Sequence, residues 1–269
     1  VGEKLSIATF KAQTTRHRIM GIVNTDDAQI VFSDTPGVLK PNYKMQEMML
    51  QFSESALADA DILLYVTDVV ENPEKNMDFL DKVSKMTIPV ILLINKIDES
   101  DQKKLGNLVE TWHKLLPNAE ILPLSAKNKF GIDILMKRIL ELLPESPAFF
   151  DKDQLTDKPA KFFVSEIIRE KILRYYDKEI PYSVEVVIER FKEDDRQIHI
   201  NAIIYVERSS QKGIIIGHQG MALKKVSTEA RKSLERFFDK KIFLETYVKV
   251  DKDWRNSQKE LNNFGYNPE

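Results

Sequence analysis

Residues 89–98 read Pro-Val-Ile-Leu-Leu-Ile-Asn-Lys-Ile-Asp, and this stretch decides the fold of the first half of the chain. Pro89–Ile94 is apolar throughout, which is typical of a parallel strand that is buried on both faces. The polar tetrapeptide Asn95–Asp98 follows directly. Ligands of open α/β sheets bind at the carboxyl ends of the strands. The stretch therefore predicts both a buried strand and a binding loop at its end.

Strands and helices alternate on both sides of this stretch. We predict further strands at Ile30–Ser33, Ile62–Val66 and Ile121–Leu124, and helices at Met45–Ala56, Asp78–Met86, Leu105–Leu116 and Ile132–Leu143. Such alternation predicts a mostly parallel sheet covered by helices on both faces. We assign residues 1–145 to this α/β domain and the proline-containing residues 146–160 to a linker.

The tetrapeptide Asn95–Asp98 has the chemistry of a guanine site. Asp98 can accept hydrogen bonds from both the ring N–H and the exocyclic amine of guanine, whereas adenine offers no such pair of donors. A buried Asp98 left unpaired would be costly, so discrimination would be strong. Asn95 can tie neighbouring loops together, and the stem of Lys96 can lie over the base or sugar. A surface loop is the alternative, which the preceding buried strand disfavours.

Ser125–Lys127 is interpreted as a supporting loop for the same base. It follows Asn95 by 30 residues, with one helix and one strand predicted between them. We expect the backbone N–H of Ala126 to donate to the guanine oxygen. The tripeptide alone carries no information, and its position after the next strand makes it significant.

Asp34–Gly37 suits the phosphate end of a nucleotide site. Asp34 can hold Mg2+ through water, and the N–H of Gly37 can meet a γ-phosphate because glycine allows close backbone approach. A simple Pro-Gly turn is the alternative. Val38 stands where some GTPases keep a glutamine that orients the attacking water, which predicts slow intrinsic hydrolysis.

Residues 13–18 precede these strands and read Gln-Thr-Thr-Arg-His-Arg. The hydroxyl of Thr15 is our candidate second ligand of the same Mg2+. Two threonines in this position are otherwise ordinary strand formers, and that alternative stays open. We interpret His17 as a surface histidine rather than a base.

The second half of the chain changes pattern. We assign residues 161–255 to a separate α+β domain and 256–269 to a C-terminal tail. The predicted order is helix, two strands, helix, Gly-x-x-Gly, helix and strand, at Val164–Tyr176, Ser183–Phe191, Gln197–Glu207, Gly213–Ile216, Gly217–Gly220, Met221–Phe238 and Ile242–Val250.

The Gly217–Gly220 motif permits close approach to a sugar-phosphate backbone, and the next helix begins with N–H groups facing the same way. An apolar groove at Ile214–Ile216 and along the strand ending at Val250 can receive unstacked bases. Between residues 211 and 259 there are 12 Lys/Arg against 6 Asp/Glu. The candidate phosphate contacts are Lys224, Lys225, Lys232, Arg236 and Lys249. A plain turn is the alternative, and the order of elements resembles a type II KH domain.

Composition sets the remaining bounds. The chain has 269 residues, 42% hydrophobic and 30% charged, and no cysteine. Thiolate metal sites and disulfides are therefore excluded, which fits a reducing compartment. No apolar run approaches the roughly 18 residues of a membrane span. We expect a cytoplasmic location.

With both halves considered together, the chain resembles Era-type GTPases, which join a Ras-like GTPase domain to a C-terminal KH domain. The most specific stretches are residues 11–18 and Ile215–Gly220. The resemblance implies GTP binding and hydrolysis to GDP with Mg2+, and binding of the three-prime end of small-subunit ribosomal RNA during small-subunit assembly. It further implies a monomer with a weak peripheral membrane association.

The resemblance also assigns residues to roles. It implies catalysis by Thr15, Asp34 and Gly37, with Thr15 and Asp34 on the metal; GTP contacts from Asp34, Gly37, Asn95, Lys96, Asp98, Ser125, Ala126 and Lys127; and RNA contacts from Ile216, Gly217, His218, Gln219, Gly220, Lys224 and Lys225.

One part of the family pattern does not occur within these 269 residues, namely the Gly-x-x-x-x-Gly-Lys-Ser/Thr phosphate loop. The residues from Val1 onward look like the tail of the helix that should follow that loop. We expect residues 1–269 alone to bind nucleotide poorly. The alternative function is a non-enzymatic RNA-binding protein with a degenerate GTPase scaffold, and the coding sequence before Val1 would discriminate the two.

Overall fold

A computed structural model describes residues 1–9 and 11–267. The strands are β1 Ile19–Asn24, β2 Gln29–Asp34, β3 Leu63–Asp68, β4 Val90–Asn95, β5 Glu120–Pro123, β6 Val184–Glu193, β7 Gln197–Val206 and β8 Lys241–Val250. The helices are α1 Lys44–Ala58, α2 Met77–Ser84, α3 Gln102–Leu115, α4 Ile132–Leu142, α5 Ala160–Tyr175, α6 Ser209–Ile216, α7 Met221–Phe238 and α8 Gln258–Asn263. Within the described residues, no helix is long and apolar enough to cross a bilayer.

The chain divides into two compact units. The smaller unit comprises residues 26–28 and 54–149, and the larger unit comprises residues 1–25, 29–53 and 150–269. This division differs from the one expected from sequence, which placed all of residues 1–145 in one domain. Most of the first 53 residues pack with the second half of the chain instead.

The smaller unit is built on the parallel sheet β3-β4-β5. Strand β4 lies in the centre, which explains why residues 91–94 are apolar without interruption and all buried. Leu92 and Ile94 face a core with Trp112 of α3 and Val83 of α2. The predicted parallel α/β architecture is confirmed here, and the carboxyl ends of the three strands lie along one edge.

The larger unit contains a second three-stranded sheet in the order β6-β7-β8. Strand β7 is antiparallel to β6 and parallel to β8. Helices α5 and α7 pack on one face through Ile168, Ile172, Val226 and Leu234, which are all buried. The order of elements predicted for a KH domain is confirmed, and helix α7 has the predicted bounds.

A two-stranded antiparallel sheet, β1-β2, also belongs to the larger unit. Sequence reasoning missed β1 and grouped β2 with the parallel strands. Residues of the predicted linker, 146–160, are hydrogen-bonded to strand β1 of this sheet. The N–H of Ile22 donates to the carbonyl of Leu155 at 2.9 Å, and the N–H of Met20 donates to Asp157 Oδ1 at 2.9 Å.

The C-terminal segment is not the tail that was expected. It contains helix α8, with Leu261 and Tyr266 fully buried against Trp254 and the methionines of α1, Met45 and Met49. These long-range contacts explain why residues 29–53 join the larger unit. Residues 268–269 of the expected tail lie outside the described part of the chain.

Residues 1–9 are not helical, although they were expected to be the tail of a helix. The segment instead runs as irregular chain within the larger unit.

Candidate nucleotide and RNA sites

The carboxyl end of β4 carries a hydrogen-bonded corner in the smaller unit. Asn95 Oδ1 accepts from the backbone N–H of Lys96 at 2.8 Å and from that of Ala126 at 3.0 Å. Lys96 has a left-handed backbone with φ of 61°, which is uncommon for a residue with a side chain. Asn95 therefore ties the two predicted base-binding loops together, as the sequence indicated.

The N–H of Ala126 has a partner within the protein in this structure. It was expected to donate to the guanine oxygen, and it donates to Asn95 Oδ1 instead. A short amide side chain beside an open N–H satisfies it within the protein. Donation from Ala126 to a base would require that bond to be exchanged.

Asp98 and Ser125 form the second pair of this corner. The hydroxyl of Ser125, which is fully buried, donates to Asp98 Oδ1 at 2.6 Å. This bond, with the charge of Lys127 at 4.0 Å from Oδ2, holds the pKa of Asp98 below its usual value. An ionised carboxylate is an acceptor only, with capacity beyond the serine bond. Asp98 can therefore accept two donors from guanine, although its side chain is 19% exposed rather than buried.

Asp68 joins this site, and sequence reasoning missed it. Its Oδ2 accepts from the ammonium of Lys96 at 2.6 Å, and its Oδ1 accepts from the N–H groups of Val70 and Glu71 at 2.9 Å each. Partial burial acts to raise the pKa of Asp68, but these hydrogen bonds lower it overall. The strand register places it there, because Asp68 of β3 lies directly beside Asn95 of β4.

The phosphate-end candidates lie in the larger unit. The hydroxyl of Thr15 donates to Asp34 Oδ2 at 3.3 Å, where β2 ends. Burial raises the pKa of Asp34, and hydrogen bonds from Ser6 and Thr15 oppose that rise. A Cβ built on Gly37 would meet nothing within 4 Å, so its backbone is open to close approach.

The oxygen ligands that Thr15 and Asp34 offer fit Mg2+. This ion prefers hard oxygen ligands and is commonly held by one or two side chains together with substrate phosphate oxygens. A hydroxyl and a carboxylate at hydrogen-bond distance provide that partial shell. Among the residues described, no group of three or more His, Asp or Glu side chains gathers as a complete metal cage.

His17 is not the surface histidine that was expected. Its ring lies 4.4 Å from the ring of Tyr266, 5.8 Å from Phe52 and 5.7 Å from Phe162. Burial lowers its pKa to about 4, so the ring is neutral near pH 7. Its neighbour Arg16 is 1% exposed. Arg16 is therefore in the interior of the larger unit, and His17 is half-buried in this aromatic cluster.

The Gly217–Gly220 motif connects helices α6 and α7. Gly217 has φ of 70°, and a Cβ there would lie 2.6 Å from the Cβ of Ala222, so only glycine fits. Gly220 has φ of 74° and precedes the first turn of α7. His218 and Gln219 between them are exposed. The turn therefore presents its backbone and the N-terminus of α7 to the outside, as an RNA-backbone site requires.

The predicted basic contacts differ in their availability. Lys224 and Lys225 are both exposed on α7, but the ammonium of Lys225 lies 4.5 Å from the ring of Tyr175. Lys232 is paired with Glu229 at 2.9 Å, and Lys249 lies 3.9 Å from Glu189. The lysines nearest the Gly-x-x-Gly turn are therefore less neutralised by acidic partners than those farther along.

The expected apolar groove is present in part. Ile214 is 50% exposed beside the turn, whereas Ile215 is buried. Sequence reasoning did not identify Phe243 and Tyr247, which are about half exposed on β8 at 49% and 48%. Their spacing follows the alternation of a strand, which was a usable signal.

Two family models match the chain. One is described as a 50S ribosome-binding GTPase and matches residues 1–96, and the other is described as a KH domain and matches residues 179–255. The first match ends at Lys96 and so does not reach Asp98 or Ser125–Lys127, whereas the second includes the Gly217–Gly220 turn.

Curated relatives match along the whole length. GTPase Era of Clostridium kluyveri is 42% identical over 268 residues, covering 99% of this chain and 92% of the relative. GTPase Era of Leuconostoc citreum is 43% identical over 273 residues, covering 100% of this chain and 90% of the relative.

Solved structures agree with this chain over both units. A crystal structure of Era in complex with MgGDPNP and nucleotides 1506–1542 of 16S ribosomal RNA has a TM-score of 0.94 and 36% identity, covering 99% of this chain and 91% of that one. A single-site variant of Aquifex aeolicus Era bound to GDP and aluminium fluoride also has a TM-score of 0.94 and 36% identity, covering 99% and 92%.

Proposed function

This chain belongs to the Era family of GTPases, and from that premise we propose that it binds GTP with Mg2+, hydrolyses it to GDP, and binds the three-prime end of small-subunit ribosomal RNA through its KH part. The proposed role is in assembly of the small ribosomal subunit.

The corner at the ends of β3, β4 and the following loop carries the nucleotide part of the proposal. Asp98 is ionised and oriented by Ser125, and Asn95 joins the two loops. The chain offers here an acceptor for two donors on one base edge, and guanine is the purine that supplies them. A site that leaves such an acceptor unpaired rejects the wrong base strongly.

The residues at the phosphate end have distinct roles in this proposal. Thr15 and Asp34 would hold Mg2+, and the open space around Gly37 would let the γ-phosphate approach its backbone. When bound, the ion neutralises charge on the phosphate oxygens. Val38 cannot orient a water molecule, so intrinsic hydrolysis is slow and rises when a partner supplies that group.

The RNA part rests on the exposed Gly217–Gly220 turn. Its backbone and the start of α7 face outward, and the exposed Ile214 and half-buried Ile216 directly precede the turn. Such a surface suits a single strand whose phosphates pass the turn and whose bases leave the stack. The solved structure of Era with a 16S ribosomal RNA fragment supports the same class of ligand.

The proposal includes a cytoplasmic monomer with a weak peripheral membrane association. The absence of cysteine in the sequence supports a reducing compartment. Sedimentation of the purified protein tests the monomer, and fractionation of cells tests both the location and the membrane association.

The experiment uses protein that includes whatever its gene encodes before Val1. We expect Mg2+-dependent release of phosphate from GTP, none from ATP, and loss of both activity and tight triphosphate binding in EDTA. Titration with a labelled ribosomal three-prime fragment tests the RNA part. RNA binding without any GTP binding would support the degenerate-scaffold alternative and refute the enzymatic proposal.

A further inference from the structure

The loop that carries Thr15 is held by side chains from distant parts of the larger unit. Thr15 itself points its hydroxyl at Asp34. The residues on either side of it are bonded elsewhere, to α5, β6 and the C-terminal segment. This arrangement raises the question of what places Thr15.

Arg16 is the main anchor on one side. Its Nη1 donates to the carbonyl of Val184 at 2.7 Å and to Glu185 Oε2 at 3.3 Å, and its Nη2 donates to the carbonyl of Pro181 at 3.1 Å. The side chain is 0% exposed. A buried guanidinium with fixed donors has little freedom, so the backbone that carries it is fixed as well.

Arg169 of α5 anchors the other side. Its Nη2 donates to the carbonyl of Thr14, and its guanidinium is paired with Glu166 at 2.6 Å. Thr15 therefore lies between two backbone positions that are held by separate arginines. The backbone on both sides of Thr15 is therefore fixed by contacts within the larger unit.

Tyr266 completes the anchor at Arg16. Its hydroxyl donates to Glu185 Oε2 at 2.7 Å, the same oxygen that accepts from Arg16. Burial and the nearby Glu185 charge raise the pKa of Tyr266, so this hydroxyl remains a donor near pH 7. Without the Tyr266 hydroxyl, the buried carboxylate of Glu185 would lose one of its hydrogen-bond donors and would be free to shift away from Arg16.

We propose that Glu185 and Tyr266 are positioning residues for the metal end of the nucleotide site: they hold Arg16, and Arg16 places the hydroxyl of Thr15 beside Asp34 for Mg2+. The inference rests on the proposed function, because it assumes that Thr15 and Asp34 bind the ion. It adds that residues far along the chain, one of them in the C-terminal segment, determine how tightly the ion is held.

A matched pair of substitutions separates positioning from general stability. Tyr266→Phe removes one buried hydroxyl and keeps the ring contact with His17. Tyr176→Phe is the control, because the hydroxyl of Tyr176 also makes one buried bond, to the carbonyl of Ile215 at 2.6 Å. Tyr176 contacts the loop only through its backbone carbonyl, which accepts from Lys11 and is kept in the variant. Glu185→Gln is the second test variant, since an amide keeps the size of the side chain and weakens its bond to Arg16.

Two measurements apply to all of these proteins. The first is the Mg2+ concentration that gives half-maximal binding of a non-hydrolysable GTP analogue. The second is hydrogen exchange of the backbone amides at residues 13–17 in nucleotide-free protein, which does not depend on activity. Melting temperatures provide the comparison of stability.

We expect Tyr266→Phe and Glu185→Gln to raise the half-maximal Mg2+ concentration by about threefold to tenfold, which corresponds to roughly one net hydrogen bond. Exchange at residues 13–17 should accelerate by a similar factor. Tyr176→Phe should lower the melting temperature comparably while both readouts stay at the parental level.

The possible results separate failure of the proposed function from failure of the positioning role. A parent protein without Mg2+-dependent binding of the analogue would refute the proposed function itself. A parent that binds, with folded Tyr266→Phe and Glu185→Gln variants that match it in both readouts, would overturn the positioning role. Equal effects from Tyr176→Phe would also overturn it, because the change would then follow stability alone.

Discussion

The ion pair between Asp68 and Lys96 offers a sharp test of how the base site is pre-organised. Asp68→Asn removes the carboxylate charge opposite the ammonium of Lys96. It keeps an oxygen that can accept from the N–H groups of Val70 and Glu71, so the local turn should persist. The substitution therefore isolates the pairing with Lys96 from the fold of the strand end.

The expected magnitude follows from exposure. The side chain of Asp68 is 23% exposed and that of Lys96 is 47% exposed, so solvent screens their attraction despite the 2.6 Å distance. Such pairs contribute roughly 0.2–1 kcal/mol. If the pair holds the lysine stem in place for the base, that energy appears in binding. Affinity for GDP and GTP should fall by about twofold to fivefold.

Asp68→Ala should cost more, because it also leaves two N–H groups without their acceptor, at about 1 kcal/mol each. Asp101→Asn is the control. Asp101 likewise accepts from a backbone N–H, that of Lys104 at 2.8 Å, and its carboxylate pairs with the side chain of Lys104 rather than with Lys96. Fluorescent GDP titration measures all three variants.

Two results would refute this reasoning. Parental GDP affinity in Asp68→Asn would show that the ion pair does not position Lys96 for the nucleotide. The second result is an equal loss of GDP affinity when Asp68→Asn is made in the Lys96→Ala background. The double-mutant cycle would then show no coupling between the two residues, and Asp68 would act by a route other than Lys96.

Three further predictions follow from the sites. Asp98→Asn should move preference from guanosine to xanthosine triphosphate, because an amide cannot accept both guanine donors; unchanged selectivity in competition binding would remove Asp98 from the base site. Mg2+-dependent binding should be lost on acidification at a higher pH than for an ordinary carboxyl, because burial raises the pKa of Asp34 and its protonated form cannot hold the ion; a pH titration that shows loss only where unperturbed carboxyls protonate contradicts this. Replacing His218 and Gln219 together with Asp should weaken binding of the ribosomal fragment by roughly tenfold at low salt and less at high salt, while circular dichroism stays parental; equal RNA affinity would reduce the turn to a connection.

Local pattern was sufficient for much of the fold. The uninterrupted apolar run of β4 predicted a central parallel strand, and the stripe of buried residues on α7 predicted its bounds. The glycine pair at Gly217 and Gly220 was also legible, since both positions have the positive φ that glycine tolerates. These features depend on residues within one element, so spacing along the chain reveals them.

Prediction failed where a residue has its partner far away in sequence. Leu261 and Tyr266 looked like part of a tail, and they are buried against α1 and β6 residues more than 80 positions earlier. The packing of residues 1–25 and 29–53 with the second half of the chain was not foreseen for the same reason, because hydrophobic periodicity shows that a face is buried without showing what buries it.

The sequence by itself therefore determined the two architectures, the position of the base motif at a strand end and the glycine turn of the KH part. Only the tertiary structure decided that Asp68 pairs with Lys96 and that Asn95 accepts the hydrogen bond from the N–H of Ala126. It also decided that Arg16 is buried against Glu185, which Tyr266 holds. The physical reason is that charged and polar side chains follow no period: their partners are chosen by three-dimensional proximity and by the cost of leaving a buried donor or acceptor unpaired.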